Sequence, residues 1–321
     1  MLENRMHRYI ISRVVLMVPT IIVLTIVTFG LLRIMPGDFV VAQMSEARGS
    51  DAKQAEIYRH ELGLDAPAVT QYFRWIGGIV QGNWGTSFWQ NKPVTTVIRT
   101  ALPMSTELGG IAIVIGLMIA IPIGVISAVY QDGPLDYLAR SVSIIGISVP
   151  NFFLGILFII YGAVWFGWFP PQGRHELFED PWGNLQQVLP GAIVLGAAQS
   201  GQIMRILRTT MLETLREDYI RTARAKGLTE MKVVFRHAFR NALIPVVTIL
   251  GFQLATIVGG SVVVESVFGI NGIGRTYIDA VTQRDYPLVQ GIALLLVMVT
   301  LITNLLVDLS YSFLDPRIRY T

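Results

Sequence analysis

Cysteine is absent from the sequence, so neither a disulfide framework nor thiolate chemistry is open to it. Histidine is scarce and scattered, with four residues in the chain, which leaves little for a metal site. Charge is scarce as well. Asp, Glu, Lys and Arg make up 15% of the residues against 52% hydrophobic, where a soluble domain carries about 25% charge. Mean hydropathy is +0.54, and a lipid environment accounts for the missing charge. The net charge of +3 is too small for bulk attraction to nucleic acid or another polyanion, so where the cations sit says more than their sum.

Several chemistries fall away for want of a partner residue. His60-Glu61 and His175-Glu176 each begin like a zinc-protease helix, but neither first histidine is followed by a second four positions on, so two-histidine ligation on one helix face fails. Gly146-Ile147-Ser148 resembles part of a nucleophile turn. With no histidine in any long apolar run to act as its base, an intramembrane serine hydrolase is disfavoured and Ser148 reads as a packing or pore residue. No GxxxxGK[ST] string occurs, so the chain lacks the usual phosphate cradle. No catalytic, cofactor-binding or metal residue is nominated.

What is present is a set of apolar runs near the length of roughly 20 residues that spans a bilayer as helix. Six qualify or come close: Val14 to Leu32, Leu108 to Tyr130, Ser141 to Phe169 (long enough to include a loop), Val188 to Met204 (short and rich in small residues), Ala242 to Val264 and Leu288 to Val307. Open backbone cannot face lipid, so continuous runs of this kind are helices, whereas a β-barrel needs short alternating segments. The first run follows Arg5, Arg8 and Arg13. It exceeds a signal core in length and no small-x-small cleavage site follows, so it reads as a retained anchor. The expected organisation is an N-terminal segment and first span over 1–34, an extracytoplasmic helical insert over 35–107, and a core of five spans over 108–321 with a basic loop over 205–241.

The loop between the fourth and fifth runs carries Arg205, Arg208, Arg216, Arg221, Arg224, Lys226, Lys232, Arg236 and Arg240 against four acids. That excess marks a cytoplasmic loop. The acidic stretch around Glu176, Glu179 and Asp180 suits the outside, and an even number of spans puts both termini inside. Within the insert, Asp51 to Leu62 reads as a helix stopped at Gly63. Pro67 to Val80 reads as a second, with Val69, Tyr72, Phe73, Ile76 and Val80 at helical spacing. Pro93 to Leu102 is expected at the membrane surface, after the interfacial anchors Trp84 and Trp89.

The six runs contain no Asp, Glu, Lys, Arg or His. Ionisable residues are the usual means of coupling a carrier to an ion gradient, and each costs roughly 2.5–3.5 kcal/mol to bury at mid-bilayer. Their absence points to another energy source. The uncharged polar residues Asn151, Gln202, Gln253, Gln290 and Asn304 remain. Each alone fits a helix-to-helix hydrogen bond. As a set they suit a pore that passes a polar solute, with Asn151, Gln202, Gln253 and Asn304 as candidate lining. The basic loop offers an energy input. Asp218 lies at the start of a short helix and Arg221, Arg224 and Lys226 toward its end, in accord with the helix dipole. Gly227 stands where a left-handed stop is expected, and Thr229 is placed to cap a second helix from Glu230 to Arg240. From the residues alone this fits equally a stiff lever and a solvated basic loop held by lipid headgroups.

Arg221-Thr222-Ala223 followed by Gly227 resembles the EAA-x-x-x-G loop of ABC importer permeases. The string from Asp218 to Leu228, with Arg236-His237-Ala238-Phe239-Arg240-Asn241-Ala242-Leu243-Ile244-Pro245, is similar to the dipeptide/oligopeptide/nickel permease family, B-type subunit. So are Met35-Pro36-Gly37-Asp38, Glu61-Leu62-Gly63-Leu64-Asp65, Gln71-Tyr72-Phe73-Arg74-Trp75, Val263-Val264-Glu265-Ser266-Val267-Phe268, Gly272-Ile273-Gly274, Arg284-Asp285-Tyr286-Pro287 and Leu314-Asp315-Pro316-Arg317. The likeness covers nearly the whole chain. It departs from the general importer pattern where Arg221 replaces the Glu of EAA, Thr222 the middle Ala, and His237-Ala238-Phe239-Arg240 a later Ile-x-Leu-Pro.

The resemblance implies an all-α membrane protein with the type I ABC importer permease fold, forming half of a pore in the cell membrane for di- or oligopeptides. Nickel chelates, glutathione and oligosaccharides are the other solutes of such a family. It implies no cofactor on this chain, with ATP and Mg held by two cytoplasmic ATPase subunits. A second homologous permease, an extracytoplasmic solute-binding protein and membrane lipid would be the other partners. The segment with Asp218, Tyr219, Arg221, Thr222, Ala223, Arg224 and Gly227 would dock on the ATPase. The competing class is a passive channel or membrane scaffold.

Overall fold

A computed structural model describes residues 2–34, 40, 52–173 and 175–314. These are helical almost throughout, apart from an isolated bridge between Thr86 and Pro93. The α-helices are α1 (Leu2–Ile34), α2 (Ala52–Glu61), α3 (Ala68–Val80), α4 (Val94–Val129), α5 (Pro134–Ser148), α6 (Asn151–Phe166), α7 (Pro181–Leu215), α8 (Asp218–Ala225), α9 (Phe239–Gly260), α10 (Val262–Phe268), α11 (Ile273–Thr282) and α12 (Tyr286–Leu314). They fall into two compact units, one chiefly Met1–Pro103 with Gly272–Leu301, the other chiefly Met104–Asn271 with Ile302–Arg319.

In the first unit α1 shows the surface of a helix solvated by something other than water. Val15, Val18, Ile22, Val23, Ile26, Val27 and Leu31 are exposed, while Thr25, Phe29 and Leu32 are buried. The buried stripe holds α3. Phe29 meets the Tyr72 ring edge-on at 5.5 Å and stacks on Trp75 at 6.4 Å. The Thr25 and Tyr72 hydroxyls share a hydrogen bond of 3.0 Å, and the Arg33 guanidinium donates to Gln71. The expected helices of the insert are present as α2 and α3, and Gly63 adopts φ +65° after α2. Of the periodic apolar set on α3, Tyr72 packs on α1 and Ile76 is half-buried, whereas Val69, Phe73 and Val80 are exposed. Asp285 explains the Arg284-Asp285-Tyr286-Pro287 string. Fully buried, it accepts from the Leu288 backbone at 3.3 Å, capping α12, and from the Trp89 backbone at 3.1 Å and the Ser87 hydroxyl.

The second unit is organised around α7. Asp180 caps it by accepting from the Gly183 amide at 3.0 Å, with Pro181 in the first turn. That backbone amide, with His175 beside it, holds the Asp180 carboxyl below its ordinary pKa. Small residues on α7 let two helices approach closely. A Cβ on Gly196 would come within 2.5 Å of the Ala112 carbonyl oxygen on α4, and one on Gly201 within 3.0 Å of the Ser143 carbonyl oxygen on α5. Ser143 donates to the Gly201 carbonyl at 2.7 Å. The α5–α6 pair bends by 96° because Pro150 forces Val149 into extended backbone, ψ 125°. Pro190 and Pro245 lie inside α7 and α9 without ending them, as membrane helices tolerate.

Four helical stretches are long and apolar enough to cross a membrane: Ile11–Ile34, Val94–Val129, Glu230–Leu254 and Tyr286–Leu309. The bent pair makes a fifth if taken as one span. Three expectations need correcting. Pro93 to Leu102 is no separate surface segment, because Val94–Val129 is one unbroken helix of 36 residues that also runs through the expected boundary at 107/108. The short fourth run is extended at both ends by the 35-residue α7, so the loop expected from residue 205 is still helix as far as Leu215. Finally, the segment from Glu230 does not close as a helix at Arg240: it passes through a π-helical stretch, Val233–Ala238, straight into α9.

Gly196→Ala is expected to lower the thermal unfolding midpoint of the detergent-solubilised protein by forcing α4 from α7, a cost of about 1–3 kcal/mol for overpacking. Gly110→Ala, on α4 with open space where the Cβ would go, is the comparison and should not lower the midpoint, since alanine is the better helix former.

Candidate functional site

The basic loop is a helical hairpin seated on its own apolar floor. On α8, Ile220 and Ala223 are three residues apart and buried, and they join a cluster with Met211, Val233, Val234 and Ala238. The opposite face is open to solvent: Asp218, Arg221, Thr222 and Lys226 are exposed. The 3.5 Å pair between Asp218 and Arg221 is so exposed that it adds little stability, and it leaves both groups available to a partner.

Gly227 ends α8 at φ +75°. Its amide donates to the Arg224 carbonyl at 2.9 Å and the Leu228 amide to the Ala223 carbonyl at 3.4 Å, the paired bonds of a Schellman stop. Leu228 turns back onto the cluster that holds Ala223. Across the turn Arg224 grips Glu230 with two bonds, Nε to Oε1 at 2.7 Å and Nη2 to Oε2 at 3.3 Å. The Glu230 carboxylate holds the guanidinium above its ordinary pKa. Thr229 occupies the N-cap position, but its side chain makes no cap hydrogen bond: its carbonyl alone starts the turn, accepting from Val233 at 3.0 Å. The Arg224–Glu230 pair ties the two sides of the turn together instead.

A second tie joins α8 to the start of α9. The Asn241 amide donates to the Tyr219 hydroxyl at 2.7 Å and to the His237 carbonyl at 3.2 Å. The π-helical stretch lies between, and the extra residue it inserts into the helical repeat is a common mark of functional sites. The predicted segment is thus assembled into one body, with a division of labour invisible in the sequence. Ala223 faces inward, Tyr219, Arg224 and Gly227 shape and anchor, and Asp218, Arg221 and Thr222 face outward.

Sequence reasoning missed the cluster that holds α7 just before this hairpin. Asp136 on α5 is fully buried. It accepts from Arg208 on α7 at 2.7 and 2.8 Å, from Arg140, from the Ser127 hydroxyl and from the Asp132 backbone at 2.9 Å. Only a carboxylate spaced four residues before an arginine hinted at it.

Where α5 bends into α6, a cleft of ≈ 530 Å³ opens toward α7 and is lined by Pro150, Asn151, Gln199, Gln202, Arg205 and Ser261, among others. Of the candidate pore residues, Asn151 and Gln202 meet here. Gln253, buried on α9, and Asn304, half-buried on α12, do not line it. Gln199 and Arg205 were not singled out, though both repeat the three-residue spacing of Gln202. A cavity of ≈ 600 Å³ between α6 and α7 is walled by Phe158, Tyr161, Trp165, Trp168 and Trp182. With almost no polar group on its walls, it does not suit a polar solute.

Comparison with known proteins gives one consistent answer. The binding-protein-dependent transport system inner membrane component family matches residues 120–320, and the N-terminal region of such membrane components matches residues 6–109. A putative peptide transport system permease protein of Brucella abortus is 38% identical, covering 98% of this chain and 100% of its own length. The oligopeptide transport system permease protein AppB of Bacillus subtilis is 37% identical with coverage of 98% and 100%, and the dipeptide transport system permease protein DppB of Escherichia coli K12 is 38% identical with 98% and 99%. Among solved structures, an amino acid ABC transporter with histidines superposes with a TM-score of 0.54 at 21% identity, over 68% of this chain and 94% of that one. An inward-facing methionine ABC transporter, MetNI, gives 0.53 at 20%, over 68% and 96%.

Arg208→Ala is expected to lower the unfolding midpoint well below that of Arg205→Ala, although the two arginines are three residues apart on α7, because only Arg208→Ala takes from the buried Asp136 one of its two cations and leaves it with Arg140 alone. Thermal unfolding of the two variants in one detergent reads this directly.

Proposed function

This chain belongs to the family of binding-protein-dependent transport system inner membrane components, and from that premise we propose that it carries di- and oligopeptides as one half of a translocation pore. It is a multi-pass membrane permease subunit of an ABC importer, and ATP is hydrolysed on a separate subunit. The observation that carries the peptide assignment is the full-length likeness, at 37–38% identity, to permeases named for oligopeptides and dipeptides.

In the proposed arrangement the chain crosses the membrane six times, with both termini in the cytoplasm. The four long apolar helices and the bent pair supply five crossings, and α7, at about 1.5 Å per residue over 35 residues, is long enough for the sixth. The insert with α2 and α3 is extracytoplasmic and faces the solute-binding protein. A second, homologous permease completes the pore, and lipid covers the exposed apolar face of α1. Two cytoplasmic ATPase subunits hold ATP and Mg.

The mechanism rests on the hairpin. The exposed face with Asp218, Arg221 and Thr222 docks on the ATPase. When the two ATPase subunits close, the push enters at α8. Ile220 and Ala223 spread it over the floor beneath, Arg224–Glu230 keeps the hairpin from opening, and Tyr219–Asn241 passes it to α9. Asp136–Arg208 steadies α7 on the other side. The polar cleft at the α5–α6 bend, with Asn151 and Gln202, is the solute's way past the bend, and Gln253 and Asn304 are further contacts along the path.

The test is uptake in proteoliposomes holding the chain with its second permease, ATPases and binding protein. Wild type should accumulate peptide only with ATP. Gly227→Val sets a β-branched side chain at φ +75°, a strained conformation for it, and should leave membrane insertion intact while reducing uptake per ATP hydrolysed by about tenfold (roughly 1.4 kcal/mol of lost coupling). Peptide equilibration without ATPase would instead identify a passive channel. Undiminished uptake by Gly227→Val would remove the hairpin from the mechanism.

A further inference from the structure

The polar cleft carries a charge that nothing around it balances. Gln199, Gln202 and Arg205 follow one another at three-residue spacing on α7 and so share one face of that helix. Asn151 and Ser261 contribute the other polar groups, and among the described residues no carboxylate lines the cleft. Arg208, three residues further on, shows the contrast, because its guanidinium is fully engaged by Asp136. Arg205 has no ion-pair or side-chain hydrogen-bond partner among the described residues, and it is exposed. Every neighbour it has in the cleft is neutral. An exposed cation with no acid beside it is free to engage an arriving anion, and the cleft volume of ≈ 530 Å³ lies within the range of small-ligand sites, about 300–1,000 Å³.

We propose that Arg205 receives the carboxylate of the solute as it passes the α5–α6 bend, with the side-chain amides of Gln199, Gln202 and Asn151 serving its peptide groups. The guanidinium fork matches a carboxylate through two parallel bonds. A single cation open to water on one side holds it weakly enough to let go, as a path rather than a store requires. The inference deepens the peptide reading and rests on it: it names the C-terminal carboxylate as the group recognised inside the membrane chain.

The chain has no cysteine, so Gln202→Cys gives this subunit a single reporter thiol, whose labelling is read on the subunit itself after separation from the assembled importer. A negatively charged methanethiosulfonate reagent should label it faster than a positively charged one, and Arg205→Ala should reduce that preference by about fivefold, the size expected of one unit charge nearby in a half-aqueous cleft. Arg205→Lys should keep most of it. Trialanine should then slow labelling while trialanine amide does not, and Arg205→Ala should abolish the difference. If the thiol shows no preference for the anionic reagent, the Arg205 charge is already neutralised, by a lipid phosphate for instance, and the proposal is overturned. Equal protection by the acid and the amide, or protection by neither, overturns it too while leaving ATP-driven peptide uptake standing. Absence of peptide uptake in the vesicle assay strikes the peptide reading itself, whatever the labelling preference.

Discussion

Burial of Ile220 and Ala223 is the constraint on which the basic hairpin depends. A basic loop of this composition, left to solvent, would be a flexible tether. Two apolar residues three apart give it an inward face, and that face fixes which residues are left outside. Once α8 is seated, Gly227 must turn the chain sharply, Arg224 reaches Glu230, and Tyr219 comes within reach of Asn241. The stiffness lies in ordinary packing and a handful of hydrogen bonds rather than in the cationic charge that first draws attention to the loop.

The same logic extends into the membrane. α7 leaves the hairpin on one side and α9 on the other, so a displacement of α8 has two routes inward. On the α7 side the buried Asp136 and Arg208 pin the helix to α5, and the close contact between Gly201 and Ser143 continues the seam. On the α9 side the π-helical stretch carries the chain on without a joint. The α5–α6 bend lies against α7, so the polar cleft belongs to the same body as the lever. A push on the hairpin and a change in the cleft are in this account one motion, which is how a chain with no GxxxxGK[ST] string and no ionisable residues in its long apolar runs would respond to fuel used elsewhere.

Much of this was legible in the sequence, and the failures have physical causes. Lipid makes helical runs long and uncharged, so the first, second, fifth and sixth were plain. Gly227 was readable because a left-handed stop admits few residues, and the insert helices because Gly63 and Pro67 punctuate them. The run over Ser141 to Phe169 hid its bend, since hydropathy is blind to a change of direction and only Pro150 betrays it. The beginning of α4 was misplaced because its first turns, with Thr95, Thr96 and Arg99, read as polar surface although they continue the same helix. Thr229 was given a capping role that its hydroxyl does not fill, and the turn is held by the Arg224–Glu230 pair across it. Asp136 escaped notice because its partner Arg208 lies 72 residues away, and a tertiary ion pair leaves no local spacing to read. Within the hairpin the inward turn of Ala223 needed the floor beneath it to be seen.

The central claim is that α8 and α9 move as one body when the ATPase acts. Spin labels at Ala225→Cys, exposed on α8 and outside the proposed docking set, and Phe252→Cys, exposed on α9, can be placed in this naturally cysteine-free chain and their separation measured by pulsed electron resonance in the assembled importer. The account predicts the same distance distribution without nucleotide and with ATP trapped on the ATPases. A distribution that shifts or broadens on ATP binding would mean that the hairpin flexes on its own, and the transmission of force through it would be contradicted.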